Sequence, residues 1–382
     1  MFKVAINPHW EITQSSAGTP LDTAVLLDLL MSIQKTGSIS KAARLVDLSY
    51  RYSWGLLRDA EKMFGTSLLN TDRGRGTTLT PLAEKLIWAD RRIRARLSPT
   101  LESLASELET EIGKTIVGKT KPLRLDASHG FAVDALLHQL TEANLPVDLR
   151  YRNSTDAVAA LSRNECDLAG FHVPLGEFEK KAVERYTQWL NPREHCLLHL
   201  AVRTQGMFVA PGNPKKILTL QDLARPGVRF VNRQAGSGTR MLLELMLTGA
   251  NISPFDIDGY QSNEFTHSAI AAFIASGMAD VGVGVQTAAH RFSLGFIPLV
   301  RERYFLALPL AIMDDPLIKL VIDVVQSGYF RKVINGLAGY DSTDTGKILL
   351  LSEAFGQVKS VATQGQVQAT ENNDQARKGN IS

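Results

Sequence analysis

The residues best suited to chemistry in this 382-residue sequence stand in short turns between a strand pattern and a helix pattern. The richest turn runs Asn232-Arg233-Gln234-Ala235-Gly236-Ser237-Gly238-Thr239-Arg240. Small residues before a helix leave bare N–H groups pointing outward, and the helix dipole favours negative charge there. Ser237 and Thr239 add hydroxyl donors, so Gln234, Ser237, Gly238 and Thr239 are candidates for cradling an oxyanion. Asp126-Ala127-Ser128-His129-Gly130 makes a second such turn and offers Ser128 and His129. Glu264-Phe265-Thr266-His267-Ser268 makes a third and offers Thr266 and His267. Gly170-Phe171-His172 ends a strand pattern and adds His172, and Gly282–Val285 ends another. Singly, each turn reads as an ordinary helix cap. Converging across one cleft, they make an anion site.

Other chemistries fit less well. The Gly236–Thr239 loop is followed by Arg240 and lacks the Gly-Lys-Ser/Thr ending of a P-loop. His129, His172 and His267 share no metal-ligand spacing, and no acidic cluster joins them in sequence. Ser128, His172 and Asp167 are arithmetically possible as a triad, but there is no G-x-S-x-G elbow. Cys166 and Cys196 have no close-spaced partner and read as small apolar core residues. The expectation is no metal, no catalysis and no cofactor beyond a small anionic ligand. A phosphate-handling enzyme using the Gly236–Thr239 loop is the alternative.

A second constellation lies near the N-terminus. Ser49, Tyr50, Arg51, Tyr52 and Ser53 open a helical pattern that carries Arg58 further on, and Arg73 and Arg75 sit in a glycine-rich loop. Hydroxyls and arginines at a helix start suit base edges and phosphates in a major groove, and a Gly/Arg loop suits phosphates or a minor groove. The flanking pattern supplies the scaffold. Leu26, Leu27, Leu30 and Ile33 recur at helical spacing over 21–35, and Gly37 ends that helix. Ser38 or Ser40 caps a short helix over 41–46, a turn follows, and Ser49 caps a third helix to about Phe64 with Tyr52, Leu56, Leu57, Ala60 and Phe64 inward. Two short strands around the Gly/Arg loop complete a winged helix-turn-helix over 21–88. Residues 21–99 hold 13 Lys/Arg against 8 Asp/Glu, while the rest holds 29 against 31. A basic module on a slightly acidic body fits nucleic-acid binding.

From Pro81 an apolar stripe through Leu86, Ile87, Ile93, Leu97, Leu101, Leu104 and Leu108 predicts a long helix, with Pro99 as a point of kinking or division. Pairing with a second copy, or packing on the chain's own second half, would cover that stripe. After residue 118 strands alternate with helices, which predicts parallel sheets in two lobes joined near 199–206 and 300–308.

These segments also carry family resemblances. TGSISKAARLVDLSYRYSWGLLRDAEKMFG resembles the DNA-binding domain of the molybdate-responsive ModE regulators, and LLNTDRGRGTTLTPLAEKLI is similar to the wing of ModE and LysR-type regulators. NRQAGSGTR and ADVGVGV resemble the molybdate-binding-like branch of the type 2 periplasmic-binding-protein fold. The resemblance implies an α+β winged helix-turn-helix, a long linker helix, and a two-lobed α/β effector domain over 119–355. It further implies double-stranded operator DNA, a homodimer or homotetramer, and molybdate or tungstate as effector, with formate next. The targets would be genes linked to molybdoenzymes. A DNA-binding protein with a silent sensor lobe is the remaining rival.

Composition agrees. Apolar residues make up 44% and charged residues 21%, which suits a folded chain. No stretch reaches the roughly 20 apolar residues of a membrane span, and the first residues lack a secretory pattern, so a cytoplasmic protein is expected. Residues 1–20 read as a flexible arm, 89–118 as the linker, and the Gln/Asn-rich 356–382 as a disordered tail.

Overall fold

The computed structural model describes residues 3–13, 20–72, 76–116 and 122–356. Arg73 and Arg75, and the predicted tail beyond Gly356, lie outside the described residues.

The expected arm is partly structured. β1 (Glu11–Ile12) pairs antiparallel with β2 (Leu21–Asp22). Trp10 packs on the helical core beside it, and its indole N–H donates to Asp90 at 3.1 Å. Helix α1 (Thr23–Thr36) starts two residues later than the periodicity suggests, because Asp22 caps it and accepts from the Ala24 N–H at 2.9 Å. Gly37 ends it with φ 65°. Ser38 caps α2 (Ile39–Leu45), so that helix begins ahead of the predicted Lys41. Ser49 caps α3 (Tyr50–Phe64) as predicted. β3 (Leu69–Asp72) and β4 (Gly76–Leu79) form the wing hairpin. Leu26, Leu30, Ile33, Ala42, Leu57 and Leu68 share one buried core. Tyr52 does not join it: the inward face of α3 is Ser53, Leu57 and Ala60.

Helix α4 (Pro81–Ile116) runs 36 residues without division at Pro99, a length of about 54 Å. Its start completes the winged-helix core through Ala83 and Ile87. The remainder lies along the chain's own effector domain while Leu97, Leu104, Leu108 and Ile112 stay exposed. The chain's own second half therefore covers one face of the helix and leaves these four residues open.

The effector domain is a single mixed sheet. Its first lobe comprises β5 (Leu123–Ala127), α5 (Phe131–Glu142), β6 (Val147–Tyr151), α6 (Ser154–Ser162), β7 (Leu168–Pro174) and α7 (Glu179–Glu184). β8 (His195–Val209) then crosses to the second lobe. That lobe holds β9 (Phe230–Arg233), α8 (Gly238–Gly249), β10 (Asn263–Glu264), α9 (His267–Ala275), β11 (Val281–Val285) and α10 (Gln286–Arg291). β12 (Gly295–Pro309) returns to the first lobe, followed by α11 (Pro316–Gln326), α12 (Gly328–Asn335), β13 (Tyr340–Asp341), β14 (Ile348–Leu350) and α13 (Leu351–Phe355).

The strand order is β10-β9-β11-β8-β12-β7-β5-β6. Within each lobe β5–β6, β5–β7, β9–β10 and β9–β11 are parallel, as predicted. The centre is not: β8 and β12 pair antiparallel with each other and with their flanking strands. Each is 15 residues long and belongs to both lobes. The segments 197–202 and 207–210, read separately from their apolar runs, are one strand. Separate apolar clusters fill the two lobes, and the seam between them lies along these two strands.

Candidate functional site

In the winged-helix unit, α3 presents Tyr50, Arg51, Tyr52 and Arg58 to solvent, and Trp54 joins them unpredicted. The Trp54 indole donates to the Tyr50 hydroxyl one turn away. A groove of about 440 Å³ runs past Ser49, Arg51, Tyr52 and Gly55. Ser40 is exposed. Ser38 spends its oxygen on the Lys41 N–H as a cap. Ser53 corrects the prediction: it is fully buried, and its hydroxyl donates to the Ser49 carbonyl at 3.1 Å, so it is inaccessible to a nucleic acid.

A cavity of about 430 Å³ lies between the two lobes. Its wall includes Ser128, His129 and His172 from the first lobe, and Gln234, Ser237, Gly238, Thr239 and His267 from the second. These are eight of the nine predicted ligand residues. The exception is Thr266, which is fully buried. It caps α9 by accepting from the Ala269 N–H at 2.9 Å, and its hydroxyl donates to the Ala95 carbonyl of α4 at 2.8 Å. The strand ends behave differently from expectation. Phe171 packs inward against Tyr186 and Phe305, and Gly282–Val285 lies within the second lobe. Gly170 is needed for close approach: a Cβ there would collide with the Tyr304 hydroxyl and Ala127. That approach lets the Tyr304 ring stack on His172 at 4.0 Å.

Donors converge on the cavity. Ser237 accepts from the Arg240 N–H at 3.2 Å, and Thr239 accepts from Gln205 Nε2 at 2.9 Å. Each keeps its own hydroxyl proton to give. His172 Nδ1 lies 3.3 Å from Ser128 Oγ and 3.4 Å from Ser154 Oγ, and its Nε2 has no partner among the described residues. Burial, then Arg203 and Arg233, holds the His172 imidazole well below its ordinary pKa. Burial acts the same way on His267, helped by Arg233 and Arg203. Burial lowers His129 to about 4, against the pull of Glu102. All three are neutral rings near neutral pH, able to donate without adding charge.

The charge comes from two arginines that sequence reasoning did not single out. Arg203 of β8 is 3% exposed and ion-paired with Glu302 of β12. Gln205 also donates to Glu302, at 3.0 Å. Arg233, at the end of β9, is 6% exposed. Among the described residues its side chain donates to the Glu264 carbonyl at 3.3 Å, and its Nε has no partner. The nearby Glu264 carboxylate is held instead by Arg92 of α4 at 2.8 Å. Burial, then Arg203, pushes the Arg233 guanidinium down to about 9. The signal was in the quoted motif: an arginine ending a strand just before a glycine turn.

The geometry bears on three further readings. Glu102 and Asp134 do gather around His129, with ligand atoms within 4.8 Å of one another, so an acidic pair joins a histidine after all. Burial pushes Asp134 up to about 6, and the Tyr151 hydroxyl donates to it at 3.2 Å. The Ser128–His172 contact lacks its third member, because Asp167 is ion-paired with Arg124 at 2.6 Å. Burial pushes the Cys166 thiol up to about 12, which leaves it unreactive.

Comparison with known proteins agrees with this layout. Residues 136–326 match the PBP superfamily domain, and residues 25–84 match the bacterial regulatory helix-turn-helix of the lysR family. The uncharacterized protein YvgK of Bacillus subtilis (strain 168) is 32% identical over 234 residues, covering 60% of this chain and 74% of the relative. An uncharacterized protein from the 5′ region of a Clostridium pasteurianum 2Fe-2S ferredoxin gene is 36% identical over 110 residues, 28% of this chain and 97% of the relative. The molybdenum-pterin-binding protein MopB of Rhodobacter capsulatus is 29% identical over 138 residues, 35% of this chain and 50% of the relative. Among the described residues no helix is long and apolar enough to cross a membrane.

Proposed function

Because this chain belongs to the PBP superfamily and carries a lysR-family regulatory helix-turn-helix, it is a ligand-responsive transcription regulator, and we propose that the ligand is a small oxyanion. Molybdate or tungstate is the leading choice and formate the next. The observation that carries the proposal is Arg233. It is a buried guanidinium with an unsatisfied N–H at the mouth of α8, across the cavity from Ser128 and His172. A buried charge without a partner is costly, and an anion in the cleft would supply the partner. The hydroxyls and neutral imidazoles around it donate hydrogen bonds that strengthen when the acceptor is charged. The name of MopB supports molybdenum chemistry, and the MopB match covers 35% of this chain.

In this reading the winged helix binds a palindromic operator in double-stranded DNA as a homodimer or homotetramer. The exposed Leu97, Leu104, Leu108 and Ile112 stripe of α4 is the pairing surface. The protein works in the cytoplasm, where its DNA is, on genes linked to molybdoenzymes. A thermal-shift series over molybdate, tungstate, sulfate, phosphate, nitrate and formate tests the ligand. Binding to the native state at about 100 times Kd adds about 2.7 kcal/mol of stability. A flat response across the series refutes an oxyanion effector.

A further inference from the structure

The cleft has a third wall that belongs to neither lobe. Arg96, Pro99, Thr100, Ser103, Leu104 and Glu107 of α4 line the same cavity as Ser128 and Ser237. The helix is also bonded to both lobes. On the second lobe Arg92 pairs with the buried Glu264, and the Ala95 carbonyl accepts from Thr266. Trp88 stacks on Phe292 at 6.0 Å, and the Arg92 guanidinium lies over the Phe273 ring at 4.4 Å. On the first lobe the contact is of another kind. β6 is the last strand of the sheet and pairs on one side only, with β5. Its outer backbone groups face α4, where two serines one turn apart take the place of a neighbouring strand. Ser103 accepts from the Tyr151 N–H at 3.0 Å. Ser106 accepts from the Leu149 N–H at 2.7 Å and donates to the Val147 carbonyl at 3.1 Å.

Both attachments adjoin the ligand residues. Thr266 precedes His267 in the chain, and Tyr151 stands three residues before Ser154. A tetrahedral oxyanion has five heavy atoms, so at a water-like share of about 30 Å³ each it fills roughly 150 Å³. The cavity is about 430 Å³. An ion of that size leaves most of the cavity empty, and an approach of the lobes would bring more of their donors onto it. Between Ala95 and Ser103 the helix is a rigid strut of about 12 Å. It does not shorten, so closing the cleft must release one end. The end on the second lobe has the Arg92–Glu264 ion pair, its carboxylate buried, and aromatic stacking. The end on the first lobe has the three neutral hydrogen bonds and Glu102, 4.0 Å from a His129 that burial keeps neutral, and is the weaker.

We propose that α4 is both a wall of the anion site and a strap across it, and that anion binding detaches the strap at Ser103 and Ser106. The wing and α3 are built on the start of the same helix, so its release is what the DNA-binding domain feels. This rests on the oxyanion reading above. By linkage, whatever holds the strap opposes the anion, and the anion opposes the strap by the same factor.

The test uses the full chain with molybdate as probe, calorimetry for the ion, and gel shifts for operator DNA with and without it. Ser103→Ala with Ser106→Ala should bind molybdate about five- to tenfold more tightly. It should lose the same factor from molybdate's effect on DNA affinity. Ser103→Thr with Ser106→Thr keeps both hydroxyls and should restore the original values, which separates the strap from a general loosening of the fold. Unchanged molybdate affinity in the alanine pair, with normal binding by the unaltered chain, overturns the strap and leaves the site standing. No molybdate binding by the unaltered chain overturns the oxyanion reading and the strap with it.

Discussion

Replacing Arg233 by methionine separates a ligand-binding arginine from a structural one. Among the described residues the Arg233 side chain makes one hydrogen bond, to the Glu264 carbonyl, and no carboxylate is ion-paired with it. Its guanidinium is pushed down to about 9 by burial and by Arg203, against an ordinary value of 12.5. A base whose folded pKa lies below its unfolded one binds fewer protons when folded. It therefore destabilises the native state fully below pH 9, and the penalty fades as pH rises from there toward 12.5. Methionine keeps much of the volume and removes that penalty, so the ligand-free variant should melt at or above the temperature of the unaltered protein. Anion binding should respond in the opposite direction. A hydrogen bond to a charged group contributes about 1.5–3 kcal/mol, so losing one raises Kd roughly 10- to 150-fold, and losing two raises it further. Calorimetry with molybdate reads the affinity, and thermal melts without ligand read the stability. A variant that keeps its molybdate affinity refutes the role of Arg233. A variant that unfolds easily without ligand shows that Arg233 is a structural group and that its charge is satisfied.

Arg51→Ala should weaken operator binding by about 1–3 kcal/mol and relax specificity at one position, as gel shifts on base-substituted operators would show; unchanged binding would remove α3 from the groove. Ser237→Ala should weaken molybdate binding by roughly tenfold with little change in melting temperature, since its hydroxyl proton faces the cleft. Leu97→Glu with Leu108→Glu should lower the mass seen by light scattering to that of a single chain, the two being 40% and 46% exposed on the linker; an unchanged mass places the interface elsewhere. Burial keeps His267 well below its usual pKa, so its contribution to stability is complete above about pH 6.5 and is lost as pH falls from there toward its depressed folded value. His267→Asn should flatten that part of the stability–pH curve measured by thermal melts.

Much of the recognition module was legible from residues close together in the chain. Ser38 and Ser49 cap two successive helices because a short polar side chain reaches an N–H three residues ahead, whereas Asp22, read as inside the first helix, is its cap. The errors there are errors of face. Tyr52 and Ser53 are adjacent on α3, and rotation by one position decides which is buried. Helical spacing from Leu57 and Ala60 places Ser53 on the inward face, against its polar character, and its bond to the Ser49 carbonyl satisfies the hydroxyl there.

The sequence alone determined where the cleft residues are, because exposed N–H groups at a strand-to-helix turn are a property of a few consecutive residues. Ser128, Ser237 and Thr239 follow from that local rule. Which arginine is left with spare charge was decided only by the tertiary structure. Glu302, 99 residues away, claims Arg203, while Arg92 on the linker claims Glu264 and leaves Arg233 unneutralised. The same holds for β8 and β12, whose antiparallel pairing across both lobes joins segments about 100 residues apart. It holds also for Ser103 and Ser106, which look like solvent-facing helix residues until the edge of β6 is set beside them. Helix starts and turns are fixed by neighbours within four residues. Charge balance, strand order and the helix that walls the cleft depend on which distant groups reach each other first, and only the folded chain settles that competition.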